Sequence, residues 1–211
     1  MRCLRTVLAA GAFLVLFSPA VRAEEDTGIN AEGYIKTWLL LAPIPLDDGQ
    51  SGAEGLDKQQ VADEAKLQPK AGDKVKAGGK ELEWKKYLAK EDYLDFNEFL
   101  GKQTEDSVAY AVTFIVAPED LKGVKMKTGS DDQAKVYLNG KEVLKVTEAR
   151  PLEKDQETTE VTLQKGVNVM VFKIVNEKVD WSGSARLVDK EGKTIKGLKA
   201  TITAAKATEK N

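Results

Sequence analysis

The chain has no histidine and a single cysteine, Cys3, among its 211 residues. Serine hydrolysis with a histidine base is therefore excluded, as are imidazole ligands to zinc or haem iron. One cysteine can close no disulfide within the chain and cannot build an iron–sulfur cluster. The chemistry that remains is that of carboxylates, lysines, oxygen-liganded cations such as calcium, and plain binding.

Neither sign of charge dominates, and aromatic residues make up only 7% of the chain. Lysine and arginine number 32 and aspartate and glutamate 34, a net charge of -2, so the basic footprint of a nucleic-acid binder is missing. With 42% hydrophobic and 31% charged residues, the composition is that of a soluble globular protein. The length suits one domain large enough to bury a core.

The N-terminus has the three parts of a secretory signal. Two arginines in the first five residues precede an uncharged apolar run over 7–17, and small residues follow up to Ala23. The apolar run is too short for a permanent membrane anchor. We therefore predict a signal peptide over 1–23, a mature chain that begins at Glu24, and a secreted or periplasmic location. The mature chain would have 29 basic and 34 acidic residues, a net charge of -5.

After residue 23, hydrophobic residues alternate mostly with the period of a strand. Short strands at regular spacing, with turn residues between them, predict an all-β antiparallel sandwich over 24–200. Residues 201–211 are predicted to be a flexible tail. The predicted strands are Tyr34–Leu41, Glu81–Tyr87, Ser107–Val116, Gly123–Thr128, Ala134–Leu138, Glu142–Val146, Thr159–Leu163, Val167–Val175 and Ser184–Val188.

The stretch Leu46–Lys80 differs from the rest, because it is rich in Gly, Asp and Lys and poor in aromatics. We interpret it as a long surface excursion that contains one short amphipathic helix over Leu56–Leu67. Pro43 and Pro45 stand just before it. Because proline has no N–H to donate, both are predicted to stop the pairing of the preceding strand.

Two segments indicate how the strands are arranged. Asn139-Gly140 lies between two alternating runs and favours the type I′ turn of a tight hairpin, since both residues tolerate positive φ. In Val167–Val175 hydrophobic residues occupy both faces, which predicts a central strand covered on both sides.

The segments that carry a family resemblance follow one another along the chain. They are Trp38 with Pro43-Ile44-Pro45, Ala109-Tyr110-Ala111, Thr128 to Asp132, Lys135 to Val143, Leu163 to Asn168, Val171 to Ile174, and Trp181. Together they look like the galactose-binding-domain-like jelly-roll sandwiches of secreted bacterial proteins. The resemblance covers nearly all of the mature chain and implies a jelly-roll fold. Modules of that group often accompany glycoside hydrolases and bind sugars.

Asp131 and Asp132 are the candidate metal ligands. Calcium takes oxygen ligands from loop carboxylates, and these two lie in a loop between predicted strands. The pair also resembles the calcium-dependent sugar-binding loop of lectins of the anthrax-protective-antigen-like family. The alternative is a solvated turn. Asp47 and Asp48 raise the same possibility with less support.

Trp181 and Arg150 are the other candidate ligand-binding residues. Trp181 lies in a predicted loop, where its ring would stack on a sugar, and packing in the core is the alternative. Arg150 would fork onto a hydroxyl pair or a carboxylate, and an ion pair is the alternative for it and for Arg186. Trp38 and Trp84 are predicted to be core residues.

Three functions remain open. The first is an exported, non-catalytic module that binds a carbohydrate through loops at one end of the sandwich, with calcium as a candidate cofactor. The second is a structural or partner-binding domain at the cell envelope, which would use a sheet face or the stretch 46–80. The third is a carboxylate-type polysaccharide hydrolase or lyase. No catalytic constellation is recognisable, so we expect no enzymatic activity.

Overall fold

The computed structural model describes residues 28–204. The predicted signal peptide lies outside that range, as do residues 205–211 of the predicted tail. Between residues 28 and 204, no helix is long and apolar enough to cross a membrane.

Two α-helices are described within residues 28–204, α1 (Gly52–Asp57) and α2 (Phe96–Leu100). The strands are β1 (Thr37–Pro45), β2 (Lys74–Ala77), β3 (Lys80–Glu83), β4 (Lys85–Leu88), β5 (Leu94–Asp95), β6 (Ser107–Ala117), β7 (Leu121–Asp131), β8 (Ala134–Leu138), β9 (Lys141–Val146), β10 (Glu157–Leu163), β11 (Gly166–Asn176), β12 (Ser182–Val188) and β13 (Lys199–Thr201).

The strands form two main sheets in which every pairing is antiparallel. The larger sheet has the order β4-β1-β6-β11-β8-β9, and β13 also pairs with β6. The smaller sheet has the order β10-β7-β12-β5, and β2 and β3 form a separate hairpin. The predicted all-β antiparallel architecture is confirmed.

The main core lies between the two sheets. Alternate residues of the strands turn inward from both sides and bury their side chains there, as the period of two requires. From the larger sheet come Trp38, Ile115 and Phe172, and from the smaller sheet Met126 and Leu187. All five are at most 1% exposed. Trp38 is thus a core residue, as predicted.

A second core covers the outer face of the larger sheet. The stretch 46–80 lies across this face and buries Leu56 and Val61 against Val171 and Val175 of β11. Strand β11 is therefore covered on both faces, as its hydrophobic pattern predicted. Trp84 is also buried in this second core. The stretch 46–80 is thus part of the packed structure, in addition to being a long connection.

The short helix predicted for this stretch is present, but its predicted bounds, Leu56–Leu67, are wrong. Helix α1 begins earlier, because Ser51 and Glu54 form a capping box, and it ends at Asp57. The chain then leaves helical geometry, and the ammonium of Lys173 donates hydrogen bonds to the carbonyl oxygens of Leu56 at 2.8 Å and Lys58 at 2.6 Å. A hydrogen bond from a sheet residue thus replaces the next helical turn. Only a short 3-10 turn, Glu64–Lys66, follows.

Lys173 belongs to a buried polar network. Its ammonium lies 3.0 Å from Glu64 Oε2, and the exposed fractions of the two side chains are 0% and 6%. Glu64 also accepts hydrogen bonds from the hydroxyls of Tyr137, at 2.7 Å, and Tyr110. Burial lowers the pKa of Lys173, and burial together with the Glu64 carboxylate raises the pKa of both tyrosines. This network anchors the stretch 46–80 to the sheet.

Two local predictions have different outcomes. Asn139 and Gly140 both have positive φ, 51° and 80°, and they join β8 to β9 as the predicted hairpin. The prolines do not stop the first strand. Pairing between β1 and β6 shifts register after Leu41 and resumes at Ile44, and Pro45 is still opposite Ser107. The strand continues because the irregular stretch absorbs a position that has no N–H to donate.

Candidate functional site: an acidic pocket at the end of the smaller sheet

Three polar residues lie in one row across the end of the smaller sheet. Ser182, the first residue of β12, is opposite Asp131 of β7 on one side and Asp95 of β5 on the other. Residues directly opposite on antiparallel strands share a face. The neighbouring Gly183 faces the core, since a Cβ there would lie 2.3 Å from Ile174 Cδ1. The row therefore lies on the face away from the core.

The row forms part of a pocket with a volume of about 430 Å³. This size is within the range of sites that bind small molecules. We call it the end pocket. Its lining residues are Tyr93, Asp95, Asn97, Asp131, Pro151, Leu152, Asp180, Trp181 and Ser182.

Helix α2 holds one wall of the end pocket in place. Asp95 is its N-cap and accepts the Glu98 N–H at 2.8 Å. The Asn97 side chain donates to the carbonyl of Val179 at 2.8 Å, and the Phe96 N–H donates to the carbonyl of Trp181 at 3.0 Å. These bonds tie the helix to the loop that carries Asp180.

Asp132 lies behind the pocket wall and holds two loops together. Its Oδ1 accepts the backbone N–H of Arg150 at 3.2 Å, and its Oδ2 accepts that of Glu177 at 2.8 Å. The residue is 8% exposed. Its carboxylate positions the loops around the end pocket and does not line it. Asp131 is the member of the predicted pair that lines the pocket.

The end pocket is acidic. Its ionisable carboxyl groups are those of Asp95, Asp131 and Asp180, and neither lysine nor arginine is among its lining residues. Burial, followed by the neighbouring Asp132, raises the pKa of Asp131 to about 6. Burial also raises the pKa of Asp132. The Asp131 carboxyl therefore changes charge near pH 6.

The Asp131→Asn variant is expected to be more stable than the parent at pH 8, by about 1–2 kcal/mol, and no more stable at pH 4. The pKa of this carboxyl is about 6 in the folded chain, against an ordinary value of 3.8. Its contribution to stability is therefore fully present below pH 4 and is lost as the pH rises through 6. Urea unfolding at several pH values measures the difference. Asp48→Asn, at an exposed turn, is the control, and a pH-independent gain in the Asp131 variant would contradict the prediction.

Trp181 lies at the pocket, but its ring is packed in the core. The side chain is 1% exposed and packs on Phe96 with 4.9 Å between ring centroids and 33° between the planes. Packing in the core was the alternative to sugar stacking in the sequence analysis. The buried ring offers no exposed face on which a sugar could stack. The indole Nε1 is buried without a hydrogen-bond partner in the described part of the chain.

Arg150 does not reach the end pocket. Its Nη1 donates to Glu157 Oε1 at 2.7 Å, which is the ion-pair alternative. Arg186 likewise pairs with Asp155, which its Nε contacts at 2.8 Å. Of the predicted ligand-binding residues, the structure brings Asp131 and Trp181 to the pocket. Asp132 and the backbone of Arg150 lie directly behind it.

No ready-made metal cluster accompanies the aspartates. Within residues 28–204, no group of three or more histidine, cysteine, aspartate or glutamate side chains is arranged to hold a metal ion. Asp47 is bonded to Lys58 and Asp48 is exposed, so neither has neighbours that suggest a calcium site. Calcium binding at Asp131 and Asp132 stays a prediction.

Several pocket residues were missed in the sequence. Asp95 and Asn97 belong to a strand of two residues followed by a helix of five, and neither element is long enough to show a period. The one local signal was the capping pattern of Asp95 with Glu98 three positions later. Asp180 was visible beside Trp181, but its proximity to Asp131 depends on the pairing of β7 with β12.

The fold and the pocket define a β-sandwich with an acidic end pocket. No protein-family model matches the chain, and no curated protein matches it. Among solved structures, a β-glucosidase from Kluyveromyces marxianus in complex with glucose is 16% identical, with a TM-score of 0.26. The match covers 40% of this chain and 11% of the glucosidase chain. A likeness this low carries no argument about function.

Proposed function

We propose that the protein is an exported, non-catalytic module that binds a carbohydrate in the end pocket. The observation that carries the proposal is the set of oxygen acceptors around one cavity, with Asp95 and Asp131 in a row and Asp180 on the adjoining loop. Carboxylates accept hydrogen bonds from sugar hydroxyls, and hydrogen bonds to charged groups are stronger than neutral ones. The Ser182 hydroxyl and the Asn97 amide add neutral partners to the lining.

The apolar residues of the lining also support a sugar ligand. Tyr93 is half-buried at the wall, where an aromatic face can contact the C–H groups of a sugar. Leu152 and Pro151 add apolar surface to the lining. Binding sites for small molecules commonly combine such apolar walls with a few placed polar groups. Calcium would add a bridge between carboxylates and hydroxyls, because it prefers oxygen ligands.

Glycan-array screening of the full chain, followed by titration calorimetry with the best glycan, tests the proposal. We expect Asp180→Asn to weaken binding about 10- to 100-fold, since a hydrogen bond to a charged acceptor contributes about 1.5–3 kcal/mol. Asp180 is exposed, so this variant should fold normally. Asp48→Asn makes the same charge change outside the pocket and is the control. The proposal would be wrong if no glycan bound, or if Asp180→Asn bound the glycan with full affinity.

Two further arms of the experiment separate related functions. Loss of binding with a chelator, restored by calcium, would show that a cation takes part. A hydrolase is the second candidate, because Asp131 combines a pKa of about 6 with nearby carboxylates, the combination that a general acid in glycoside hydrolysis requires. Turnover of a bound polysaccharide that disappears in Asp131→Asn would favour that candidate over simple binding.

A further inference from the structure

A second candidate site lies on the outer face of the larger sheet. The stretch 46–80 covers most of this face, but it leaves Val167 and Val169 of β11 only half-buried. Val169 is opposite Phe114 of β6, and Phe114 is opposite Thr201 of β13. Because residues opposite one another share a face, these side chains form one row across three strands. Phe114 itself is only 1% exposed, so the apolar strip that stays partly uncovered on this face is that of Val167 and Val169, together with Ile202 just after β13.

The strip is the floor of a groove. Two pockets, of about 500 Å³ and about 430 Å³, are both lined by Gln68 and Ala204, and so adjoin one another. Val167 and Val169 line the first pocket, and Ile202 lines the second. We call the joined pockets the lysine groove, after Lys66, Lys70 and Lys86, which line them.

The charge of the lysine groove is opposite to that of the end pocket. Neither aspartate nor glutamate is among its lining residues. Each of its three lysines is exposed, and none forms an ion pair with another residue between 28 and 204. By contrast, the buried Lys173 and the nearby Lys135 both pair with carboxylates. An apolar floor beside unpaired ammonium groups is complementary to an apolar molecule with an anionic head.

We propose that the lysine groove binds a single-chain anionic amphiphile, of which a free fatty acid is the simplest. The alkyl chain lies over the half-buried Val169 and Ile202, where it removes apolar surface from water. The carboxylate head contacts the ammonium groups of Lys70 and Lys86, whose compact charge suits one anionic group. Both pockets are within the size range of small-molecule sites. The lysine groove and the end pocket share no lining residue, so the two proposals are tested independently.

The test uses the full chain and laurate below its micelle concentration. Titration calorimetry should show saturable binding of laurate, and dodecyltrimethylammonium, with the same chain and the opposite charge, should bind about tenfold more weakly or not at all. Lys70→Gln combined with Lys86→Gln should weaken laurate binding about tenfold. Lys122→Gln combined with Lys196→Gln removes two exposed charges elsewhere and should leave the affinity unchanged. Val169→Thr, which keeps the side-chain shape, should weaken binding through its hydroxyl.

Three results would overturn the proposal. The first is the absence of saturable laurate binding. The second is equal binding of laurate and dodecyltrimethylammonium. The third is full laurate affinity in the variant that lacks both Lys70 and Lys86. If laurate fails and a peptide of alternating leucine and glutamate binds instead, the groove is a docking surface for an acidic protein segment, and the amphiphile proposal is wrong.

Discussion

Replacement of Glu64 by glutamine is expected to lower the free energy of unfolding by about 3–5 kcal/mol, because it leaves a buried ammonium without its counter-charge. Lys173 is fully buried, and Glu64 Oε2 lies 3.0 Å from its nitrogen. The remaining partners of that ammonium are the carbonyl oxygens of Leu56 and Lys58. Urea unfolding at neutral pH measures the loss.

The loss of stability in Glu64→Gln should be largest in the stretch 46–80, in addition to lowering the stability of the whole fold. Since Glu64 and Lys173 join the stretch 46–80 to β11, hydrogen exchange in that stretch should rise before the sandwich itself opens. Glu81→Gln breaks an ion pair of the same kind with Lys74 that is more than half exposed on both sides. This control should unfold at the same urea concentration as the parent. A normal midpoint for Glu64→Gln would contradict the assignment of the network as the anchor.

A double replacement separates the charge from the packing. Lys173→Met combined with Glu64→Leu removes both charges and keeps apolar volume. We expect it to cost less than the sum of the two single replacements, since neither charge is then left buried alone. The hydroxyls of Tyr110 and Tyr137 lose an acceptor in this variant, so a residual cost is expected. An additive double variant would show that the pair is not coupled.

Trp181→Ala is expected to cost about 3–5 kcal/mol of folding free energy and to abolish ligand binding in the end pocket with it. The ring fills core volume beside Phe96, and its chain neighbours Asp180 and Ser182 line the pocket. Loss of binding in this variant would therefore say nothing about stacking. Thermal unfolding and glycan binding should be measured together.

Trp181→Phe separates the two roles. The indole Nε1 of Trp181 has no partner within residues 28–204, so its removal breaks no hydrogen bond there. We expect Trp181→Phe to remain within about 1.5 kcal/mol of the parent and to retain binding. Trp38→Phe is the matched control, because Trp38 Nε1 donates to the Ile35 carbonyl at 3.0 Å, and its loss leaves a buried acceptor unpaired. A stable Trp181→Phe variant that no longer binds would show that the buried indole positions the neighbouring pocket residues Asp180 and Ser182.

The longer strands could be predicted because their signal is local, whereas the short strands β2, β5 and β13 were missed. In β11, hydrophobic residues on both faces identified a central strand, and the Asn139-Gly140 pair identified a tight hairpin, each from fewer than ten consecutive residues. The helix over 56–67 was mispredicted because its spacing also fits an irregular stretch packed on a sheet. What ends α1 early is a packed surface that includes Lys173, more than a hundred positions away.

Only some residues of the end pocket could be predicted, because contacts between distant strands leave no local signal in the sequence. Asp131 and Trp181 were noticed as residue types that suit sugar or metal binding. Arg150 was noticed for the same reason, but its guanidinium is used by Glu157. Asp95 carried almost no signal, since its place beside Ser182 depends on a two-residue pairing between distant strands.

Residue types alone decided which chemistry is open to this protein, because a side chain that is missing can supply no base, ligand or nucleophile. The same local order of side chains decided that the chain forms strands, because alternation along a strand is a property of neighbours. Tertiary structure alone decided which carboxylates meet in the end pocket and which lysines face the uncovered strip. Those distances depend on the register between strands far apart in the chain, and on burial, which determines the groups that keep their charges.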